Sequence, residues 1–385
     1  DADAPLMEAG VDSLGAVELR NTLQAATGGG VSLPSTLVFD HPTARQLSLV
    51  LAPSAPAPQM AVDSSPTGSP PSHAVPVVHL DGQTLLAPSG VSSGISASRM
   101  LACGNDLISE VPAARWDMAL PRAELAAAAG SVCHGGFVRD AECFANAAFG
   151  ISAIEAAVMD PQQRLLLERG YTSLRVAGLD RAALGGSLTG VFLGIAAAEF
   201  AQLVAASKSG GSVYAATGSA HSVASGRLSF VLGLHGPCIS YDTACSSALA
   251  AGHAALRAVQ LEECPLDLVL AVNIMLSPAV GTSFAVAGMT SARGRSYTFD
   301  ARADGYARGE ACGACVLRRA PHCPNSLNEH CLALCGSAVR QDGRSASLTA
   351  PNGQAQQGLL HAALADSTLP TAALTCCEAH GTGTP

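Results

Sequence analysis

The stretch DTACSSAL, residues 242–249, places Cys245 where a cysteine can act as a nucleophile. A β-prone run, CISYD (238–242), precedes it, and an alanine-rich stretch with the composition of a helix follows it. We therefore expect Cys245 near the N-terminus of that helix, where unpaired N–H groups and the helix dipole favour the thiolate. The alternative is a buried, inert thiol, which is our interpretation of most of the other twelve cysteines.

A second candidate, His380, stands in EAHGTGTP (378–385). Two Gly-Thr pairs follow it and predict a flexible loop, in which the hydroxyls of Thr382 and Thr384 are candidate ligand-binding groups. An isolated histidine is more often structural than catalytic, so the whole string, rather than His380 alone, carries the hypothesis.

The third candidate is Ser13, in MEAGVDSLGAVELRNTL (7–23). Asp12 and Ser13 come directly before an amphipathic helical pattern, and either can be a simple N-cap. The alternative is a modification site at the start of the helix. Residues 1–51 carry six acidic and two basic side chains, a balance suited to docking on basic patches of partner enzymes.

The composition excludes several function classes. The 385 residues are 48% hydrophobic and 13% charged, with a net charge of -9 and no basic stripe, which argues against a nucleic-acid partner. Lys208 is the only lysine and follows no glycine-rich cradle, which excludes a P-loop. No apolar run approaches the roughly 20 residues of a membrane span. The irregular cysteine spacing predicts reduced thiols and a cytoplasmic location, since no signal peptide precedes them.

Three zones differ in composition along the chain. Residues 1–51 have helical patterns, residues 52–74 are rich in Pro, Ala and Ser and predict a flexible linker, and residues 75–385 alternate strand-like and helical runs. The last zone predicts a layered α/β domain. Its candidate strands are 190–195, 238–242, 267–274 and 313–319, and the stretch 246–261 predicts a helix that is buried almost all round.

Several strings in the last zone resemble the β-ketoacyl synthase domain of modular polyketide synthases and fatty acid synthases. Besides DTACSSAL and EAHGTGTP, the similar strings, in the family's order, are ISEVPAARWD (108–117), MDPQQRLLLE (159–168), GRLSFVLGLHGP (226–237), TFDARADGYARGE (298–310) and TAPNGQAQQ (349–357). The resemblance implies a thiolase-like αβαβα sandwich built from two related halves. The usual Gly-Met-x-Cys-Arg-Phe-Pro string is missing from residues 75–90, which bears on packing more than on chemistry.

The resemblance also implies roles for the candidate residues. Cys245 would accept an acyl chain from a carrier as a thioester, and His380 would help to decarboxylate the extender unit and stabilise the carbanion. Glu310 matches a glutamate that the family keeps close to its site, and Thr382 and Thr384 would contact substrate. The family's second histidine, a lysine and a glycine-rich loop would lie beyond position 385, so we expect residues 1–385 alone to form no carbon–carbon bond.

Residues 1–51 resemble a small all-α acyl carrier domain whose first helix is mostly missing. The string around Ser13 is similar to the family's attachment site, and FDHPT (39–43) to the segment before its last helix. The resemblance implies covalent 4'-phosphopantetheine on Ser13, added by a phosphopantetheinyl transferase. It implies as partners acyl and malonyl thioesters on carrier domains, other polyketide synthase domains, and a second synthase copy in a homodimer.

Other interpretations remain open at this point. A fatty acid synthase or another thiolase-fold acyltransferase would share the synthase strings, and a non-catalytic carrier or docking module would share the first zone. Cys312, Cys315, Cys331 and Cys335 suggest a zinc site, but the spacing within the second pair is wrong for most zinc knuckles, so we predict no metal.

Overall fold

The computed structural model describes residues 2–6, 11, 13–27, 33–34, 37–51, 76–116, 132–196, 198–319, 332–345 and 350–383. The chain forms two compact units, Asp1–Ala74 with Gly336–Ala373, and Val75–Cys335 with Leu374–Pro385. The predicted linker, 52–74, lies outside the described residues, and the predicted domain boundaries stay a prediction. Among the described helices, none is long and apolar enough to cross a membrane.

The first unit begins with a small helical domain. Its helices are α1 (Ser13–Ala26), α2 (Leu37–Asp40) and α3 (Ala44–Leu51). Leu33, Leu37 and Leu47 are buried between them, with Leu19 and Leu23 of α1 packed against this cluster. Leu19 and Leu23 of α1 therefore face a core, which agrees with the amphipathic pattern of this helix.

The second unit is built on a six-stranded mixed sheet. The strands of this sheet are β1 (Val78–Leu86), β4 (Gly190–Gly194), β5 (Cys238–Tyr241), β6 (Leu266–Asn273), β7 (Ala311–Arg319) and β8 (Leu332–Leu334). Two short strands, β2 (Ser109–Glu110) and β3 (His134–Gly135), form a separate two-stranded ribbon. The order in the large sheet is β5-β4-β6-β7-β1-β8. Strand β4 runs parallel to β5 and β6, whereas β7 pairs antiparallel with β6 and β1, and β1 with β8.

Helices cover both faces of this sheet. The described helices of this unit are α4 (Gly94–Ala102), α5 (Ala153–Ala157), α6 (Pro161–Val176), α7 (Arg181–Leu184), α8 (Glu199–Ala205), α9 (Ala215–Ser219), α10 (His221–Leu232), α11 (Ser247–Gln260) and α12 (Pro278–Val286). Val191 and Leu193 of β4 point into one core with α6 and α10, while Phe192 points into the other core with α11. This alternation follows from the two-residue period of a strand and gives three layers, helix, sheet and helix.

The first unit contains one further helix, α13 (Gly353–Ser367). The side chain of Asn352 caps it by accepting hydrogen bonds from the N–H groups of Gln354 and Ala355. Such a cap satisfies two of the donors that a helix N-terminus leaves unpaired.

The predicted strands agree with the observed ones to within two residues at each end, but one helix prediction is wrong. Helix α11 is not buried all round, because only one of its faces packs on β4 and β6 while Leu249 on another face is 77% exposed. Its high alanine content suits that close contact with the sheet and does not require burial on every side.

Candidate active site around Cys245

Cys245 lies in a single 3₁₀ turn, Ala244–Ser246, between strand β5 and helix α11. The hydroxyl of buried Ser247 closes this turn, accepting a hydrogen bond from Thr243 N (2.9 Å) and donating one to Ala244 O (2.7 Å). The Cys245 side chain is exposed. The order of strand, polar turn and helix that the sequence predicts around this cysteine is therefore present.

The residue before Cys245 has a strained backbone. Ala244 has φ = 54°, in the left-handed region that costs a residue with a Cβ about 1–2 kcal/mol. A left-handed residue lets the chain reverse sharply from the strand into the helix. The strained geometry thus places Cys245 at the top of the bend, between the end of β5 and the first turn of α11.

Gly194, the last residue of β4, makes room for this bend. A Cβ at Gly194 would lie 2.7 Å from both Ser247 C and Ala248 N, a distance that real Cβ atoms essentially never show. Strand β4 and helix α11 can therefore approach so closely only because position 194 has no side chain.

The helix that follows Cys245 favours negative charge at its start. Helix α11 has 14 residues and no acidic residue in its first turn, so its dipole and its unpaired N–H groups are not neutralised there. A thiolate, or the oxyanion that forms when a thiolate attacks a carbonyl carbon, matches this environment.

His380 lies in an exposed loop of the same compact unit as Cys245. The hydroxyl of Thr298 donates a 2.5 Å hydrogen bond to Gly381 O, and Gly305 N donates one of 3.0 Å to Gly383 O. These two contacts fasten the loop to the segment that leads to Tyr306. Thr382 is half-buried in this loop, and Thr384 lies outside the described residues.

Tyr306 is the link between the two candidate catalytic residues. Burial raises the pKa of its phenol, Arg308 opposes this rise, and an electrostatic contribution from Cys245 adds to it. Cys245 therefore acts electrostatically on a residue whose direct neighbour, Gly305, binds the His380 loop. One short segment is thus hydrogen-bonded to the His380 loop at Gly305 and influenced electrostatically by Cys245 at Tyr306.

Glu310 is 1% exposed and its carboxylate is fully engaged. Oε2 accepts hydrogen bonds from Val138 N (2.8 Å) and Arg115 Nη2 (3.0 Å), and Oε1 accepts one from Met275 N (2.9 Å). A buried carboxylate with a cationic partner and two backbone donors holds together the segments that supply those donors. Its geometry is that of a residue that shapes the site.

The sequence analysis missed a second buried carboxylate, Glu199. It is 3% exposed, accepts hydrogen bonds from Leu276 N and Ser277 N, and faces Arg308. The indication in the sequence is a single acidic residue within the mostly apolar run AAAEFAQLV (196–204), directly after a buried strand. Burying an unpaired charge at such a position is energetically unfavourable, so the sequence predicts a partner for Glu199.

The cysteines considered for zinc do not converge. Cys312 belongs to one core and Cys315 packs against the other, so they lie on opposite faces of the sheet. Burial raises the pKa of Cys312 to about 12 and that of Cys315 to about 11, which disfavours the thiolates that bind metals. Cys331 lies outside the described residues, and Cys335 is exposed.

Ser13 is the first residue of helix α1, as the sequence predicts. The helix has 14 residues and no acidic residue in its first turn. A helix N-terminus attracts phosphate groups through its dipole and its unpaired N–H groups, so a phosphodiester at this position is electrostatically favoured.

Family models match three parts of the chain. Residues 1–51 match the phosphopantetheine attachment site, residues 78–322 the N-terminal domain of β-ketoacyl synthase, and residues 332–385 its C-terminal domain. The attachment-site match indicates covalently attached 4'-phosphopantetheine.

Similar proteins are modular polyketide synthases. The chain is 41% identical over 378 residues to the spectinabilin polyketide synthase system protein NorA' of Streptomyces orinoci, and 40% identical over 393 residues to the pikromycin polyketide synthase component PikAII of Streptomyces venezuelae. These matches cover 98% and 100% of this chain but 10% of each relative. The chain thus spans about a tenth of these relatives.

Solved ketosynthase structures have the same fold. The oxazolomycin ketosynthase domain OzmH KS7 of Streptomyces albus is 31% identical with a TM-score of 0.71, over 80% of this chain and 54% of that one. The ketosynthase from module 6 of the bacillaene synthase of Bacillus subtilis is 29% identical with a TM-score of 0.69, over 80% and 51%. The predicted thiolase-like α/β fold is confirmed.

Proposed function

Since the chain belongs to the β-ketoacyl synthase family, we propose that it provides the acyl-accepting site for polyketide chain elongation, with Cys245 as the residue that accepts the growing acyl chain. The observation that carries this proposal is the exposed thiol on a strained turn at the N-terminus of a 14-residue helix. A nucleophile needs access to substrate, and its charge needs nearby donors. Cys245 has both.

In the first half-reaction the Cys245 thiolate attacks the carbonyl carbon of an acyl thioester. The new bond joins Sγ to the acyl carbon, the old C–S bond breaks, and the departing thiol takes up a proton. Backbone N–H groups at the start of α11 are the candidate donors for the oxyanion that develops on the carbonyl oxygen. The product is an acyl chain bound to Cys245 as a thioester.

In the second half-reaction a malonyl-type extender loses carbon dioxide, and the resulting carbanion attacks the acyl carbon on Cys245. A carbon–carbon bond forms, the C–S bond to Cys245 breaks, and Cys245 leaves as a thiolate. We assign to His380 the stabilisation of the negative charge that decarboxylation leaves on the extender's carbonyl oxygen. Attachment of its loop through Gly381 and Gly383 supports this role. Thr382 and Thr384 are the candidate substrate contacts.

The carrier part supplies substrate to this site. We assign Ser13 as the attachment point of 4'-phosphopantetheine, whose terminal thiol carries acyl groups when the arm is bound. The position of Ser13 at the start of α1 supports this assignment. We divide the chain into a carrier domain at 1–51, a linker at 52–74 and a synthase domain at 75–385.

The proposed partners follow from these assignments. They are acyl and malonyl thioesters on carrier domains, neighbouring polyketide synthase domains, a phosphopantetheinyl transferase for Ser13, and a second synthase copy. We place this work in the cytoplasm, where the thiol of Cys245 stays reduced.

The test is transfer of an acyl group from a short thioester to the chain, followed by intact mass and peptide mapping. We expect one acyl group on Cys245 in the wild type and in His380→Ala, and none in Cys245→Ala. Malonyl-thioester decarboxylation, measured in parallel, should decrease in His380→Ala. Acylation that persists in Cys245→Ala would contradict the proposal.

A further inference from the structure

The connection between strand β6 and helix α12 donates four consecutive backbone N–H groups to buried side chains of distant segments. The bonds are Ile274 N to Gln162 Oε1 (3.3 Å), Met275 N to Glu310 Oε1 (2.9 Å), and Leu276 N and Ser277 N to Glu199 Oε2 (2.7 Å each). Residues 274–277 are therefore held by side chains and not by regular secondary structure. Two of the three acceptors are carboxylates, which make stronger hydrogen bonds than neutral groups.

Glu199 carries two of these four bonds and has a second partner. Its Oε1 lies 3.7 Å from Arg308 Nη2, and the two side chains are 2% and 13% exposed. At this distance the pair is held by charge rather than by a hydrogen bond. The Arg308 guanidinium also lies over the ring of Phe284 in α12, 5.4 Å from its centroid. Glu199 thus connects α8, the 274–277 segment and the segment that contains Arg308.

Arg308 belongs to a short segment that leads to the proposed nucleophile. Tyr306 lies two residues earlier, and burial raises the pKa of its phenol. Arg308 lowers this pKa and Cys245 raises it, so Arg308 and Cys245 both act on Tyr306 electrostatically. Gly305 N donates to Gly383 O in the His380 loop, and Glu310 closes the segment at its other end. Segment 305–310 is therefore hydrogen-bonded to the His380 loop through Gly305 and paired with Glu199 through the charge of Arg308.

We propose that Glu199 is a positioning residue of the proposed condensation site. Through Arg308 it holds the segment that contains Tyr306 and binds the His380 loop, and through Leu276 and Ser277 it fixes the 274–277 segment. The proposal rests on the proposed function, because it assigns Glu199 an effect on acylation of Cys245. A small displacement of groups around a reacting atom reduces the rate far more than it reduces binding.

The experiment measures single-turnover acylation of Cys245 by an acyl N-acetylcysteamine thioester over a range of thioester concentrations. Glu199→Gln keeps an oxygen for the two N–H donors and removes the charge that pairs with Arg308, and Arg308→Met removes the other partner. Each should lower the maximal rate about 10- to 100-fold with an unchanged half-saturating concentration. Arg308→Lys, which keeps the charge, should recover most of the rate.

The double variant Glu199→Gln/Arg308→Met should be no slower than the slower single variant, because both changes remove the same contact. The matched control is Glu155→Gln, which breaks the ion pair with Arg227, whose guanidinium is similarly buried, in the α5 and α10 region. It should lower thermal stability while leaving the maximal rate close to that of the wild type.

Two results would overturn the proposal. Maximal rates in Glu199→Gln and Arg308→Met equal to that of Glu155→Gln would show that the pair does not position the site. A double variant whose loss of maximal rate equals the product of the two single losses would show that the residues act separately. A wild type that gains no acyl group on Cys245 would instead overturn the proposed function, and this inference with it.

Discussion

The N–H of Gly305 donates a 3.0 Å hydrogen bond to the carbonyl oxygen of Gly383. This bond joins the loop that contains His380 to the residue next to Tyr306, on which Cys245 acts electrostatically. Gly383 has φ = 69°, and a Cβ there would lie 3.2 Å from both Gly305 O and Tyr297 N. Glycine is therefore required at position 383 for both its conformation and its close contact.

Gly383→Ala should release the loop. The Cβ would press against Gly305 O and Tyr297 N, and the bond from Gly305 N should break. Hydrogen exchange at the Gly305 amide should therefore become faster. Gly178→Ala is the matched control, because Gly178 has φ = 82° but nothing within 4 Å of the added Cβ. Unchanged protection of Gly305 in Gly383→Ala would show that the contact does not hold the loop.

Ala244→Gly should remove the strain before Cys245. A glycine has no left-handed penalty, so the free energy of unfolding should rise by about 0.5–1 kcal/mol in urea titrations. The same change inside α11, Ala254→Gly, should lower it by about 1 kcal/mol, because glycine is a poor helix former. A loss of stability in both variants would contradict the strained turn.

The strands were predictable because their apolar runs are short and bounded by turn residues, as in DLVLAVNI for β6. The position of Cys245 between strand and helix followed from the same pattern. Neither the order of the sheet nor its antiparallel strands β7, β1 and β8 could be derived, since pairing between distant segments leaves no local pattern.

The residues that support the site could not be predicted from the sequence either. Glu199 receives its hydrogen bonds from residues 276 and 277, and Glu310 from residues 138 and 275, far away in sequence. The left-handed Ala244 is also invisible in sequence, because alanine is an unfavourable choice for that conformation. Local sequence patterns predict which residue reacts, but they do not reveal the distant residues that hold it in place.

Ser13→Ala should abolish loading of the carrier. Incubation with coenzyme A and a phosphopantetheinyl transferase should add one prosthetic group to the wild type, detected as a mass increase on the peptide containing Ser13. Ser48→Ala in α3 is the matched control, because Ser48 is an exposed helical serine of the same unit and should not affect loading. Loading of Ser13→Ala would contradict the assignment.

Asp267, at the start of β6, is 0% exposed and in register with Gly190 of β4. Burial raises its pKa to about 7, and the lowering effects of the Cys264 thiol and the Gly190 N–H offset this only in part. The pKa of an aspartate in an unfolded chain is about 3.9. The folded chain therefore binds a proton at Asp267 more tightly than the unfolded chain does.

The stability contributed by Asp267 should accordingly be full below about pH 4 and be lost as the pH rises through about 7, with a slope of up to about 1.4 kcal/mol per pH unit. Asp267→Asn should remove this slope from urea titrations at several pH values. Asp300→Asn is the control, since hydrogen bonds from Arg302 lower the pKa of half-buried Asp300 to about 2, so that it stays charged throughout this pH range. An unchanged slope in Asp267→Asn would show that a group other than Asp267 causes the pH dependence of stability.

The most direct test of the central claim compares Cys245 with the other exposed cysteines. Cys238, Cys376 and Cys377 are exposed as well. Differences in their labelling rates therefore reflect the reactivity of each thiol and not its exposure to the reagent. Limiting iodoacetamide at neutral pH, quenched over time and mapped by peptide mass spectrometry, gives the rate at each thiol. Cys245 should be alkylated first, and prior acylation should protect Cys245 alone. Equal rates at Cys238 and Cys245 would contradict the assignment of Cys245 as the nucleophile.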